Sequence, residues 1–201
     1  MSQYGADIDS LGLTGSMLIA QQGAKSDIDL VVYGRDAFKQ TRHSIKQAVD
    51  SGALDLLNHA LMEDNFQRRL GELSFEEFSW HENRKYNKAV IDDCKFDIGM
   101  VCLANERQQD YNVQQKQGRQ TLIAKVINDQ QAFDFPARYL IDNVEFSDII
   151  SFTHTYVGQA QQGETIEVSG AVERDSATGK RRLIVGSSRE AKGEYIKVLD
   201  K

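Results

Sequence analysis

The spacing of apolar and polar residues divides the chain into a first part that mixes helices with strands and a second part that is rich in strands. In the first part, short apolar or alternating segments predict strands at residues 11–14, 26–33 and 95–102. Apolar residues at helical spacing predict helices at residues 17–22, 36–49, 53–61, 63–73 and 76–86. We therefore expect a mixed sheet with helices over residues 1–105.

After about residue 105, short segments rich in β-branched residues dominate the chain. They predict strands at residues 121–127, 137–141, 165–172, 182–185 and 195–199. Turn signals such as Gln162-Gly163 and Thr178-Gly179 separate them. The pattern predicts a small β-rich, barrel-like domain over residues 106–201. The whole chain is therefore expected to have an α+β fold with two domains.

Composition narrows the class of protein. The 201 residues include 24 basic and 30 acidic side chains, for a net charge of −6, which argues against a general basic nucleic-acid binder. The apolar runs are much shorter than the roughly 20 residues that a membrane span needs, and the start of the chain is too polar for a secretory signal. The two cysteines fit neither a disulfide framework nor a zinc site. We expect a cytoplasmic protein with no membrane partner.

Three aspartates lie in otherwise apolar predicted strands. Asp27 and Asp29 alternate with apolar residues in the first of these strands, so they share the face opposite the apolar side chains. Asp97 has the equivalent place in the strand at residues 95–102. Aspartate is depleted in strands, so this pattern calls for a physical reason.

A divalent metal ion would supply that reason. Like charges about 4 Å apart repel by about 4 kcal/mol at an effective dielectric constant of about 20, so neighbouring carboxylates need a counter-charge. Carboxylate oxygens are the hard ligands that suit Mg²⁺ and Mn²⁺, which also take substrate phosphates. We therefore predict that Asp27, Asp29 and Asp97 bind such ions, an arrangement that supports in-line phosphoryl transfer. The other interpretation is that Asp27 and Asp29 only solubilise a solvent-facing strand and that Asp97 is a surface acid near a turn.

A glycine turn precedes the first acidic strand. Thr14-Gly15-Ser16 ends a predicted strand and begins a short helix, and such a corner offers backbone N–H groups and a hydroxyl to an anion. Ser16 stands eleven residues before Asp27, which leaves room for a short helix and a return turn. We predict that Gly15 and Ser16 bind phosphate at the same end of the sheet as the aspartates. A plain strand end with a helix cap is the alternative.

Together these motifs resemble the signature of the DNA polymerase β-like nucleotidyltransferase superfamily, and this variant is most similar to uncharacterised prokaryotic, often archaeal, members. The resemblance covers about residues 11–101 and consists of the Gly-Ser turn, the Asp-x-Asp strand and the later acid. It implies a nucleotidyltransferase-type mixed sheet. It also implies transfer of a nucleoside monophosphate from an NTP to a hydroxyl, with release of pyrophosphate and with Mg²⁺ or Mn²⁺ as cofactor.

The resemblance also implies roles for individual residues. Asp27 and Asp29 would ligate the metal ions, and Asp97 would position or deprotonate the acceptor hydroxyl. Gly15 and Ser16 would hold the terminal phosphates of the NTP. Some branches of the superfamily carry an arginine shortly after the Gly-Ser turn, where this chain is apolar at residues 17–20.

Other basic residues of the chain could replace the arginine that some branches carry after the Gly-Ser turn. Arg84 and Lys85 precede the third acid, and arginine has a fork of donors that matches phosphate oxygens. We predict that these two residues help to bind the NTP. The alternative is an ordinary solvated helix end.

The sequence leaves the acceptor open between a nucleic-acid 3′ end, a protein hydroxyl and a small molecule, among which the β-rich domain would select. A second hypothesis, from another class, is a non-catalytic NTP-binding or antitoxin-like protein-interaction module on the same fold. Release of pyrophosphate would distinguish the enzyme from the module.

Overall fold

Two compact units make up the chain. The computed structural model describes residues 2–21, 23, 26–69, 71–107, 113–188 and 191–199. The first unit consists of Met1–Gln67 and Ser79–Arg107, and the second of Arg68–Phe78 and Gln108–Lys201. The expected α+β class is confirmed, because α-helices accompany two mixed β-sheets. That the units are independent domains divided after residue 105 stays a prediction.

A four-stranded sheet lies in the first unit. The α-helices and strands of residues 2–107 are β1 (Leu11–Leu13), α1 (Gly15–Leu18), β2 (Ile28–Tyr33), α2 (Arg35–Asp50), α3 (His59–Arg69), α4 (Phe75–Asn83), β3 (Lys88–Ile91) and β4 (Cys94–Val101), and short 3-10 helices lie at Ser2–Tyr4 and Ile8–Ser10. The strand order is β1-β2-β4-β3. The two central strands, β2 and β4, run parallel, and the other neighbours are antiparallel.

The apolar faces of the sheet and of α2 form the core of this unit. Val32 on β2 and Ile98 on β4 are buried on the same face of the sheet. The long helix α2 contacts both strands and buries Phe38, Ile45 and Ala48, which recur at helical spacing. The face of the central strands opposite this core is therefore the one that carries the aspartates.

Most predicted helices are found, with different ends. The segment at 36–49 forms α2, the segment at 76–86 forms α4, and the short helix expected at 17–22 is α1, which begins and ends earlier. Part of the expected short helix, residue 22, lies outside the described residues. Within the described ranges, no helix has the length and apolar character needed to cross a membrane.

The helix predicted at residues 53–61 is wrong over its first half. Asp55 instead makes a β-bridge with Val90, in which each backbone N–H donates to the other residue's carbonyl at 2.8 and 3.0 Å. Helix α3 begins only at His59. The side chain of the preceding residue, Asn58, accepts a hydrogen bond from the N–H of Leu61 at 3.0 Å. A long-range backbone pairing has overridden local helical preference.

The second unit contains a six-stranded sheet. Its strands are β5 (Gln114–Gln131), β6 (Ala137–Asp142), β7 (Phe146–Ser151), β8 (Thr165–Asp175), β9 (Arg181–Val185) and β10 (Tyr195–Val198). Because β8 pairs with both β5 and β9, five strands close into the ring β5-β6-β7-β9-β8, and β10 adds to β8. Among the described strands of this sheet, β7 and β9 pair in parallel and the other neighbours are antiparallel. Two strands, β7 and, in the first unit, β3, have no counterpart among the strands predicted from the sequence.

Alternation fills the inside of this ring with apolar side chains. Along β8, Ile166, Val168 and Val172 are buried while their neighbours are partly exposed. The same period buries Tyr139 on β6, and the consecutive residues Leu183, Ile184 and Val185 are buried on β9. Ring closure leaves fewer unpaired strand edges than an open sheet would have.

Substitution of Gly170 on β8 tests whether β8 and β9 lie close enough to close the ring. A Cβ there would lie 2.5 Å from the backbone carbonyl oxygen of Ile184 on β9. Because a backbone atom cannot turn aside as a side chain can, we expect Gly170→Ala to lower the free energy of unfolding by about 1–3 kcal/mol. Urea denaturation measures the change.

Gly99→Ala on β4 is the matched strand-glycine control. The nearest atom to its added Cβ, the carbonyl oxygen of Leu30, is 3.9 Å away, which is ordinary contact. Its effect should stay within about 0.5 kcal/mol. Equal effects at the two glycines would argue against the close approach of β8 and β9.

Candidate functional site

The register of β2 and β4 places two of the predicted acids side by side. The strands pair in parallel, and Asp29 is the direct partner of Asp97. Asp27 stands two residues before Asp29, so alternation puts its side chain toward the same face. We call Asp27, Asp29 and Asp97 the aspartate cluster. The structure brings the third acid to the predicted pair, although about 70 residues of chain separate them in sequence.

The glycine corner lies against the aspartate cluster. The backbone N–H of Thr14 donates to the carbonyl oxygen of Asp29 at 2.9 Å. Gly15 has a φ of +67°, and a Cβ on it would lie 2.2 Å from the Asp29 carboxylate oxygen Oδ2. Only glycine fits this place without moving the carboxylate. Ser16 follows in the first turn of α1 and is half-buried.

Asp97 lies in an environment that raises the pKa of its carboxyl. Burial raises the pKa of its carboxyl, and the charges of Asp27 and Asp29 raise it further, whereas Lys88 and Lys95 act in the opposite direction. Its oxygen Oδ1 is buried and accepts no hydrogen bond. A buried acceptor without a hydrogen bond is costly, and a ligand bound to this oxygen would relieve that cost.

Lys95 is a cation of the site that the sequence analysis missed. Its ammonium lies 2.7 Å from Oδ2 of Asp27 and 4.0 Å from Oδ1 of Asp97, and the side chain is only 7% exposed. The signal was available, because Lys95 stands two residues before Asp97 on β4 and so shares its face.

Lys88 is the second cation beside the aspartate cluster. It opens β3 and is the direct antiparallel partner of Asp97. Its ammonium also forms a short ion pair with the buried carboxylate of Glu82. Asp97 therefore has an aspartate beside it on one neighbouring strand and a lysine on the other.

The predicted phosphate ligands Arg84 and Lys85 make other contacts. Lys85 is buried and forms an ion pair with Glu82 at 2.5 Å. The guanidinium of Arg84 lies 4.3 Å from the ring centre of Trp80. These contacts do not bring either side chain to the aspartate cluster, and their role as NTP ligands stays a prediction.

The donors of the cluster suit Mg²⁺ or Mn²⁺. They are hard carboxylate oxygens, and one of them, Oδ1 of Asp97, is buried without a hydrogen bond. Across the part of the chain that the structure describes, no three His, Cys, Asp or Glu side chains are arranged to hold a metal ion by themselves. Mg²⁺ does not need such a cage, because it is commonly held by one or two carboxylates together with water and substrate phosphates.

Comparison with known proteins adds one informative relative. An uncharacterised protein of Methanocaldococcus jannaschii is 35% identical over 208 aligned positions, which cover 98% of this chain and 61% of the relative. The chain thus spans about three-fifths of that protein's length. No family model matches the chain, and no solved structure matches it. The aligned positions cover both units, and because the relative is uncharacterised, the similarity assigns no activity to this chain.

Substitution of the buried Glu82 tests the network of charges beside the site. Burial opposes its ionisation, but Lys85 and Lys88 together lower its pKa to about 2. Glu82→Gln leaves two lysines without their counter-charge, and we expect the free energy of unfolding to fall by about 3–5 kcal/mol at pH 7. Because the pKa is lowered in the folded state, this stabilisation exists above the ordinary carboxyl pKa of 4.5 and is lost as the pH falls toward about 2.

Denaturation of both proteins at several pH values from 7 down to about 3 measures the effect. The difference between wild type and Glu82→Gln should shrink as the pH falls below 4.5. Asp50→Asn is the control, because it breaks an exposed ion pair with Lys46 and should change stability little. A difference that is constant across this range would show that the Glu82 charge does not stabilise the fold.

Proposed function

We propose that this chain is a metal-dependent nucleotidyltransferase that transfers a nucleoside monophosphate from an NTP to a hydroxyl acceptor and releases pyrophosphate. The observation that carries the proposal is the parallel register of β2 and β4, which sets Asp29 beside Asp97 next to the Gly15 corner. A phosphate-binding turn and a set of carboxylates on adjacent strands are the two parts that such a transfer needs. The four-stranded mixed sheet with α2 against it would then be a nucleotidyltransferase-type domain.

Each part of the site has a role in this reaction. Asp27 and Asp29, together with Asp97 as the third carboxylate of the cluster, would hold Mg²⁺ or Mn²⁺, which when bound neutralises charge on the phosphates. Asp97 would orient the acceptor hydroxyl and accept its proton. The hydroxyl oxygen bonds to the α-phosphorus of the NTP, and the bond from that phosphorus to the pyrophosphate oxygen breaks. Catalysis in this scheme is mainly positioning and charge neutralisation.

Phosphate binding falls to the glycine corner and to nearby cations. Gly15 would let the chain approach the terminal phosphates closely, and Ser16 would offer its N–H and hydroxyl. Arg84 and Lys85 remain candidates to contact the NTP, which Lys85 reaches only if it leaves Glu82. The β-rich unit would select the acceptor, whether a nucleic-acid end, a protein hydroxyl or a small molecule. A cytoplasmic location fits a substrate such as an NTP.

Pyrophosphate release tests the activity directly. The full chain is incubated with labelled NTPs and Mg²⁺ or Mn²⁺, in the presence of total RNA and cell extract as sources of acceptor. We expect turnover in the wild type and a loss of at least about a hundredfold in Asp29→Ala and Asp29→Asn, because a charge-neutralising centre loses a ligand. Asp50→Asn removes the same charge from the exposed end of α2 and should keep full activity.

Thermal shift assays distinguish the second hypothesis. For the enzyme, stabilisation of the wild type should need NTP and metal ion together, and it should be lost in Asp29→Asn. Stabilisation without any pyrophosphate release, across all acceptors, would contradict the enzyme and support a non-catalytic NTP-binding module.

A further inference from the structure

We propose that Lys95 is the internal counter-ion of the aspartate cluster and that a divalent cation binds there by displacing the Lys95 ammonium. This inference rests on the proposed function, because it concerns the same metal ion. It goes further by assigning a competitor for the metal within the chain itself.

The position of Lys95 is unusual for a lysine. Its side chain is only 7% exposed, whereas lysine is almost never buried unless it is paired. Its ammonium bonds to Asp27 at 2.7 Å and lies 4.0 Å from Oδ1 of Asp97. It therefore stands between two carboxylates of the cluster, which are the groups assigned to the metal.

A metal ion and this ammonium compete for the same oxygens. Oδ2 of Asp27 already accepts the Lys95 ammonium, and a second cation within a few ångströms is repelled. Lysine has a flexible four-carbon stem, so the ammonium can swing away without any shift of β4. Displacement is thus a side-chain movement, after which both Asp27 and Asp97 are open to the metal.

The competition couples metal binding to nucleotide binding. Without metal, the Lys95 ammonium relieves the repulsion between Asp27 and Asp97. Its charge must also weaken the affinity for a metal that arrives alone. An NTP brings phosphate oxygens that add ligands to the metal, so metal and NTP together displace Lys95 more readily than the metal does by itself.

Titration of the full chain with Mn²⁺ alone, followed by the electron paramagnetic resonance signal of free Mn²⁺, tests the competition. We expect Lys95→Met to bind Mn²⁺ at least about tenfold more tightly than wild type, because a nearby positive charge is removed. Lys95→Arg keeps the charge and should bind no more tightly than wild type. Lys46→Met, which removes an exposed charge on α2, should leave the affinity unchanged. Equal or weaker binding in Lys95→Met overturns the proposal.

Amine labelling provides a second measurement on the wild type, which needs no variant to fold. Lys95 is modified with an amine-reactive ester and located by peptide mass spectrometry, and Lys46 serves as the exposed reference. We expect labelling of Lys95 to rise several-fold when Mn²⁺ saturates the protein, while Lys46 is unchanged. Labelling of Lys95 that is the same with and without bound Mn²⁺ would mean that the ion pair persists, and would overturn the proposal.

Failure of this inference is separable from failure of the proposed function. If wild type binds Mn²⁺, alone or with NTP, while Lys95 neither weakens binding nor becomes labelled, only the counter-ion proposal fails. If neither wild type nor Lys95→Met binds Mn²⁺ even with NTP, the metal site itself fails, and the role of Lys95 fails with it.

Discussion

The candidate site depends on the parallel pairing of β2 with β4. Val32 and Ile98 are buried on the core face of these strands, so a slip of one residue would turn apolar side chains toward the aspartates' face. Burial of that apolar face therefore fixes the register. The same register then forces Asp29 against Asp97, although two carboxylates side by side repel each other. Hydrophobic packing on one face holds an electrostatically unfavourable arrangement on the other.

Lysines balance much of that unfavourable charge. Lys95 reaches into the aspartate cluster from the same strand as Asp97, and Lys88 lies beside it on β3. Lys88 also shares Glu82 with Lys85, so the balance extends into a buried network behind the strand. One oxygen of Asp97 still has no hydrogen bond. The lysines thus balance part of the negative charge of the cluster, while one carboxylate oxygen stays without a hydrogen bond. Under the proposed function, that oxygen is open to a cation.

The β-rich unit is stabilised in its own way. Ring closure through β8 and β9 pairs most of its strands on both sides. Glu194, just before β10, accepts the backbone N–H groups of Gly186 and Ser187, both at 2.8 Å, and an ion pair from Arg119 at 2.7 Å. The Ser187 hydroxyl also donates to this carboxylate, and these hydrogen bonds to its charged form keep the pKa of Glu194 low despite burial. The archaeal relative matches the chain through both units, so the combination of the two is shared.

The sequence by itself determined which residues share a face, because alternation along a strand is local and has a fixed period. That is why Asp27, Asp29 and Asp97 could be singled out as one set, and why most strands were found. Only the tertiary structure decided which strands are neighbours, since their partners are distant in sequence and are chosen by burial and backbone pairing. The contact of Asp29 with the Gly15 corner, the approach of Lys88 and Lys95, and the bridge that replaced a helix at Asp55 all follow from such pairings.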